Sequence, residues 1–380
     1  MNKILVDAFG GDNSPEEVVA GALAALNEKD DFRLVLVGDE EKIKKLYNEE
    51  SVTDKASFER VVDRVEILHA EDVITCEEEP TVAVRRKPNS SVCVGFKKLK
   101  EDEDAKAFVS AGSTGAVLVG ATLKLGRISG VNRPALCPIL PTVKDGKNVF
   151  LLDSGANADC KAINLVQFAV MGTAYAEALG VKNPTCALLS NGTEDEKGNA
   201  LTHEVFPVLK GEKSVRFVGN TEARDVLSGD FDVVVTDGFS GNVCLKSLEC
   251  AVNAIFSSLR EGIYSSLRGK IGGALLKPAF KNVKNKLDYN EKGGALFLGV
   301  NKIVIKAHGS SKRKAIKNAV LQAAEYAELG VAEKIKEKLA VAAAGNAAEN
   351  ATNTAVNIST NSSADNSEKR EQSSENGALI

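Results

Sequence analysis

Short runs of Val, Ile and Leu that stop at Gly, Asp or Asn recur along the first 335 or so residues: Ile4–Val6, Leu34–Val37, Ala107–Val109, Val149–Leu152, Cys186–Leu189, Val215–Val218, Val233–Val235 and Ile303–Ile305. Segments with helical apolar spacing lie between many of them, among them Glu16–Leu26, Leu165–Leu179 and Lys312–Leu329. Strands that are apolar at every position, separated by helices, demand a parallel or mixed sheet buried on both faces with the helices outside. The stretch exceeds the length at which one core usually stops growing, about 250–300 residues. Two lobes sharing one large sheet, or one core with an insertion, both satisfy that limit.

Past Ala340 the chain turns to Ala, Asn, Ser, Thr and Glu without an aromatic residue. Such a segment has too little apolar surface to offset its ordering entropy, so a domain of residues 1–335 is expected, with residues 336–380 a disordered low-complexity tail. Its Asn-x-Ser/Thr triplets at Asn350, Asn357 and Asn361 are expected by chance in that composition. The chain carries 52 acidic against 48 basic residues. That balance argues against a nucleic-acid partner, which would select a basic excess. No apolar run approaches the roughly 20 residues of a membrane-spanning helix, and Met1-Asn2-Lys3 leads directly into a strand instead of a signal-peptide core. Seven cysteines with no C-x-x-C spacing fit buried thiols in a reducing compartment, not a disulfide frame or a zinc site. A cytoplasmic protein with no metal follows as an expectation.

Residues 251–287 depart from the acidic average. From Arg260 to Lys286 there are seven basic residues, Arg260, Arg268, Lys270, Lys277, Lys281, Lys284 and Lys286, against Glu261 alone. Ile255, Leu259, Ile263, Leu267 and Ile271 recur at i, i+4, the stripe of one helix. Gly272-Gly273 is a candidate break before a second helix bearing Leu275, Leu276, Phe280, Val283 and Leu287. A basic amphipathic helical hairpin suits an anionic membrane surface. It equally suits packing on the core or on a second subunit.

Ligands of open α/β sheets bind beyond the carboxyl ends of the strands. Six polar, glycine-containing segments follow expected strands. Asp7-Ala-Phe-Gly10-Gly11-Asp12 precedes Ser14-Pro15, a helix start. Ser110-Ala-Gly112-Ser113-Thr114-Gly115 opens a helical segment over Ala116–Leu125, where backbone amides and hydroxyls can cradle an anion or simply form a capped turn. Asp153-Ser154-Gly155-Ala156-Asn157 ends a third strand. Ser190 to Asn199 contains Lys197 beside Gly198, which can meet a phosphate as a point charge or sit in solvent. Thr236-Asp237-Gly238-Phe239-Ser240-Gly241-Asn242 places Asn242 at the start of a helix over Val243–Val252, its amide free to donate to a polarised oxygen. His308-Gly309-Ser310-Ser311 again joins a strand to a helix. No Walker loop, dinucleotide fingerprint, zinc signature or nucleophile elbow occurs. That suits a reaction in which a bound anion itself attacks.

In this order the segments resemble the phosphate acyltransferase family of bacterial phospholipid synthesis (PlsX). The resemblance rests on VDAFGGD (6–12), SAGSTGA (110–116), RPA (133–135), LDSGANADC (152–160), QFAVMGTAYA (167–176), EDEKGNAL (194–201), FVGNTEARD (217–225), VVTDGFSGNVCLKSLE (234–249), GGALFLGV (293–300) and HGSS (308–311). It spans residues 2 to about 335. Phe9, Ser154 and Cys250 stand where the family usually has Met, Val and Gly.

The resemblance implies a three-layer α/β/α sandwich with a large mixed, mostly parallel sheet, like that of isocitrate and isopropylmalate dehydrogenases, plus a protruding helical hairpin. It implies transfer of a long acyl chain from acyl-carrier protein to inorganic phosphate, giving the acyl-phosphate used to acylate glycerol 3-phosphate. A homodimer with no cofactor, bound peripherally to the inner face of the plasma membrane, is implied as well, with the downstream glycerol-3-phosphate acyltransferase a candidate partner. On this reading Lys197, Asn242 and His308 are catalytic: Lys197 grips phosphate or the oxyanion, Asn242 donates to the thioester oxygen, and His308 binds phosphate or relays a proton. Gly112, Ser113, Thr114, Gly115, Asn157, Gly309, Ser310 and Ser311 are phosphate-binding candidates. Asp7, Asp12, Asp153 and Asp237 are supporting carboxylates. Arg260, Arg268, Lys270 and Lys277 would dock the acidic carrier protein or the membrane. An acyl-enzyme route through Cys160 or Cys244 stays open. The rival readings are a phosphotransacetylase acting on acyl-coenzyme A and a non-catalytic membrane scaffold.

Overall fold

The structure, a computed structural model, describes residues 1–53, 58–287 and 293–345. Its strands form two ladders. The first is seven-stranded, in the order β3 (Val65–His69), β2 (Phe32–Gly38), β1 (Asn2–Asp7), β4 (Ala105–Ser110), β12 (Ile303–Lys306), β11 (Ala295–Leu298), β5 (Ala135–Cys137). The second is five-stranded, in the order β6 (Ile139–Pro141), β7 (Asn148–Leu152), β10 (Val233–Val235), β8 (Thr185–Ser190), β9 (Arg216–Glu222). All pairings are parallel except β12–β11, β11–β5 and β6–β7. The expected single large sheet is thus divided, and Pro138 marks the division. β5 pairs with β11 on one side of this residue and β6 pairs with β7 on the other. Proline has no N–H to extend either ladder.

The ladders stay joined across that division. Ser154 N–H donates to the Leu136 carbonyl at 3.0 Å, and Leu151 N–H to the Pro138 carbonyl at 3.3 Å. Asp153 completes the joint. One of its oxygens accepts from Leu136 N, Gly155 N and Ala156 N, and the other from the backbone and side-chain nitrogens of Asn157, all at 2.7–3.2 Å.

Successive strand residues point to opposite faces, and both faces are apolar. Ile4, Val6, Leu34, Leu36, Ala107 and Val109 enter the largest core cluster with α1 (Glu16–Glu28) and α10 (Arg313–Leu329). Leu5, Val35, Val37 and Phe108 instead pack on the other face, against α4 (Ser91–Glu101) and α5 (Thr114–Gly120). The second ladder behaves alike. Phe150, Leu152, Val233 and Val235 face α6 (Ala162–Ala178) and α7 (Ala200–Gly211), while Val149, Leu151 and Val234 face the first turns of α8 (Gly238–Tyr264). This is the expected helix–sheet–helix sandwich, with α2 (Glu40–Thr53) and α3 (Pro80–Arg86) at its periphery.

Three boundaries differ from the sequence expectation. The helix carrying Asn242 starts at Gly238, not after Asn242, because Asp237 caps it: the Asp237 carboxylate accepts from Ser240 N and Ser240 Oγ, each at 2.8 Å. The hairpin turns at Ser265–Ser266, between α8 and α9 (Leu267–Leu287), and Gly272-Gly273 lies inside α9. Gly273 is a packing notch instead of a breaker, since a Cβ there would collide with Ile263 Cγ2. Finally, residues 331–345 are helical and bury Val331, Ala332, Ile335 and Ala342, so ordered chain extends ten residues beyond the expected limit. The rest of the expected tail, with its three Asn-x-Ser/Thr triplets, lies outside the described residues, as do the side chains of Lys284, Lys286 and Leu287.

Candidate functional site

A cleft of about 360 Å³ opens where the two ladders meet. The strand ends supply its walls: Leu136, Pro138 and Ile139 at the division, Ser154 and Gly155 after β7, Lys306 to Gly309 after β12, and Thr114 at the start of α5. The helix α8 closes it with Asn242, Leu245, Lys246 and Glu249, one face at i, i+3, i+4, i+7. Asn242 rests on Gly155, whose φ of +126° and bare Cα let the loop pass close beneath the amide. The cleft thus gathers Thr114, Asn242, His308 and Gly309 from the expected set. It adds Lys246, Glu249 and Lys306, which the sequence reading left out.

Three loops brace this wall. Asp12 N–H donates to the Gly309 carbonyl at 2.8 Å, and the Asn13 amide donates to the Ser310 and Ser311 carbonyls. Gly10 lies so near Asp7, Ser110 and Gly112 that a Cβ would stand 2.5 Å from Asp7 Oδ2. The first, second and sixth segments are therefore one assembly.

His308 is exposed at the mouth. Ser310 N–H donates to its Nδ1 at 3.2 Å, with Ser310 Oγ 2.8 Å away. An accepting Nδ1 places the proton of the neutral ring on Nε2. Lys246 Nζ lies 3.4 Å from that Nε2 and 2.8 Å from Glu249 Oε2. Desolvation by the cleft walls, and then the Lys246 charge, lower the His308 pKa below the usual histidine value. Lys306 is 8 % exposed. Its ammonium donates to the carbonyls of Ala111, at 3.2 Å, and Ala307. Burial brings its pKa down to about 8, against the smaller opposing pull of Cys76, Asp7 and Asp12.

Several expected ligands are occupied elsewhere. Gly112 N–H donates to Ser110 Oγ at 3.0 Å. Ser113 Oγ caps α5 through Ala116 N, and Gly115 is small because Pro80 abuts it. The Asn157 side-chain nitrogen donates to the Pro134 carbonyl at 2.7 Å and to Asp153, so in this structure it takes part in the joint between ladders. Ser311 Oγ is buried without a hydrogen-bond partner, whereas Ser310 serves His308. Asp7 accepts from Ser110 Oγ at 2.7 Å, and burial raises its pKa, as it does that of Asp153. Asp12 stands beside Gly309.

Lys197 does not line this cleft. It is exposed in the loop after β8, its stem against Gly192. That loop borders a second cavity of about 760 Å³ on the opposite face of α8, lined by Ser190, Asn199, Arg224, Phe239, Val243 and Leu248 among others. Cys244 also lines it, and burial raises its thiol pKa; burial takes Cys160 to about 11. Both shifts run away from the thiolate form that an acyl-enzyme route would use. On the hairpin, Arg260, Arg268, Lys270 and Lys277 are exposed, together with Ile255, Leu259, Leu267 and Leu275. Among the described residues no cluster of His, Cys, Asp and Glu could hold a metal, and no helix is long and apolar enough to cross a membrane.

Comparison with known proteins agrees with this geometry. A family profile described as "Fatty acid synthesis protein" matches residues 2–334. The chain is 47 % identical over 340 residues to the phosphate acyltransferase of Clostridium tetani, covering 89 % of this chain and 98 % of that one. It is 46 % identical over 338 residues to the phosphate acyltransferase of Bacillus licheniformis, covering 89 % and 98 %. Among solved structures, a phosphotransacetylase from Streptococcus pyogenes superposes with a TM-score of 0.54 at 18 % identity, over 86 % of this chain and 94 % of that one. A branched-chain phosphotransacylase from Enterococcus faecalis V583 gives 0.52 at 12 %, over 87 % and 99 %. At such identities the two structures speak for the shared fold alone.

Proposed function

The chain belongs to the fatty acid synthesis protein family whose members include the phosphate acyltransferases, and from this we propose that it transfers a long-chain acyl group from acyl-carrier protein to inorganic phosphate. The observation that carries the reading is the cleft itself. It joins a cationic pole, Lys246 and Lys306, to the neutral donors Asn242, Thr114 and His308 at the ends of buried strands. Such a pole suits a phosphate dianion.

A phosphate oxygen attacks the thioester carbonyl carbon. The new C–O bond forms, the C–S bond breaks with its electron pair on sulfur, and the thiolate takes up a proton. Phosphate dianion needs no general base, so positioning and oxyanion stabilisation carry the acceleration. Asn242 Nδ2 donates to the carbonyl oxygen as it becomes tetrahedral. His308, with its proton on Nε2, donates to a phosphate oxygen or relays to the departing thiolate the proton that the acyl-phosphate hydroxyl gives up. Lys197 stays a candidate for holding phosphate or the oxyanion: its loop borders the second cavity, across α8 from Asn242. The row Phe239, Val243, Ser247, Ala251 leads along α8 from that cavity to exposed Ile255 and Leu259. It offers the acyl chain a path toward the hairpin.

The exposed cations of the hairpin would dock the acidic carrier protein, and its apolar stripe an anionic bilayer surface. A homodimer with peripheral attachment to the plasma membrane belongs to the same proposal, as does direct contact with the downstream glycerol-3-phosphate acyltransferase. Purified protein incubated with palmitoyl-carrier protein and phosphate should yield acyl-phosphate, trapped as the hydroxamate by hydroxylamine. Acetyl-coenzyme A should be a poor donor. Product from acetyl-coenzyme A alone would favour the phosphotransacetylase reading, and none from either donor would favour a scaffold.

A further inference from the structure

We propose that the buried ammonium of Lys306 is a catalytic residue, the charge that binds the attacking phosphate at the floor of the cleft. The inference rests on the phosphate acyltransferase reading and names a residue within it. Lys306 ends β12, opposite Ser110 of β4 and Ala295 of β11. Ile303, Val304 and Ile305 before it are buried hydrophobes. A strand in that environment calls for another apolar residue, because an ammonium taken out of water without a counter-charge is strongly destabilising. Among the described residues, no carboxylate lies within ion-pair distance of its Nζ. The two carbonyls of Ala111 and Ala307 take two of its three N–H donors. One donor is left, and the residue lines the cleft.

The surroundings leave this charge short of anions. Asp7 is buried, turned to Ser110, and raised in pKa, so it is a weak counter-ion. Cys76 and Asp12 pull the other way less strongly than burial, while Lys246 opposes them from α8. A dianion in the cleft would complete the coordination and restore the basicity of Lys306. An ammonium poised near pH 8 thus couples phosphate affinity to pH: affinity is full while the group is protonated and falls as pH rises through that value.

The test compares K306M, K306Q and K306R with the wild type. The KM for phosphate is measured from pH 6.5 to 9.5, and the thermal midpoint with and without inorganic phosphate. For wild type, the KM for phosphate should rise up to about tenfold per pH unit above the transition while kcat changes little, and phosphate should raise the midpoint. In K306Q and K306M the KM should rise at least tenfold and lose its alkaline limb. Phosphate should no longer raise the midpoint, while the unliganded midpoint stays level or rises because a buried charge has gone. K306R, charged at every pH, should have a shallower alkaline limb than wild type. A structural lysine would instead lower the unliganded midpoint and leave the pH profile intact. Wild-type phosphate affinity and stabilisation in K306M and K306Q would overturn the assignment alone. A wild type that neither responds to phosphate nor forms acyl-phosphate would overturn the functional reading with it.

Discussion

At His308 the hydrogen bond from Ser310 and the charge of Lys246 act in the same direction: one fixes the tautomer and the other discourages a second proton. If the neutral ring is the working form, activity is full above its pKa and falls as pH drops through it, so the acidic limb lies below the ordinary histidine range. Lys246→Gln removes the second cause and should move that limb to higher pH in a kcat/KM profile; an unmoved limb would detach the two residues. Asn242→Ala should lower kcat by about 10²–10³, the usual effect of losing one oxyanion donor. Lys197→Ala should abolish turnover while circular dichroism and thermal midpoint stay unchanged; near-normal turnover would exclude the second cavity from the chemistry. His308, Asn242 and Lys197 were visible in the sequence because each stands next to a glycine in a polar turn that follows a strand. Lys306 was hidden by its position, the residue directly after the apolar run Ile303–Ile305 and the last of its strand. Lys246 was hidden by periodicity, since only the helix register relates it to Asn242. Sequence also does not reveal that the donors of Gly112 and Asn157 are engaged by Ser110, Pro134 and Asp153.

Strand runs of three or four apolar residues were legible because burial on both faces leaves no polar position in the centre. β3, β5, β6 and β11 were not, being short, peripheral or, around Pro138, split between ladders. That division gives Asp153 its weight. Five N–H groups converge on one carboxylate between the ladders, so Asp153→Ala would strand several buried donors. The expected loss is about 3 kcal/mol or more, read as a fall in the denaturant midpoint. Loss of less than about 1 kcal/mol would mean water replaces the carboxylate. Gly273 illustrates the opposite ambiguity: the residue that ends helices elsewhere here lets α9 lie close to α8 at Ile263. Gly273→Leu should splay the hairpin, increasing proteolysis near Ser265–Ser266, while the thermal midpoint of the sandwich is retained.

For the whole molecule, an acidic protein presents a cationic outgrowth, a contrast legible from charge order alone. Replacing Arg260, Arg268, Lys270 and Lys277 together with Glu should raise the KM for acyl-carrier protein tenfold or more at low salt and flatten its salt dependence. An unchanged KM would place carrier docking elsewhere, and sedimentation with anionic vesicles would then ask whether these cations serve lipid instead. What the sequence could not express is that Asn242 and the hairpin tip occupy one helix. From Asn242 to Tyr264 the axis advances about 33 Å at 1.5 Å per residue, without a break. Whatever the tip touches is therefore held at a set angular phase to the reacting carbonyl, as a key's bow is to its bit. One alanine inserted near residue 253 would turn everything beyond it by about 100° while moving it outward by only about 1.5 Å. An enzyme that still used small soluble donors but no longer accepted carrier-bound ones would show that orientation, not reach, is what the long rod transmits.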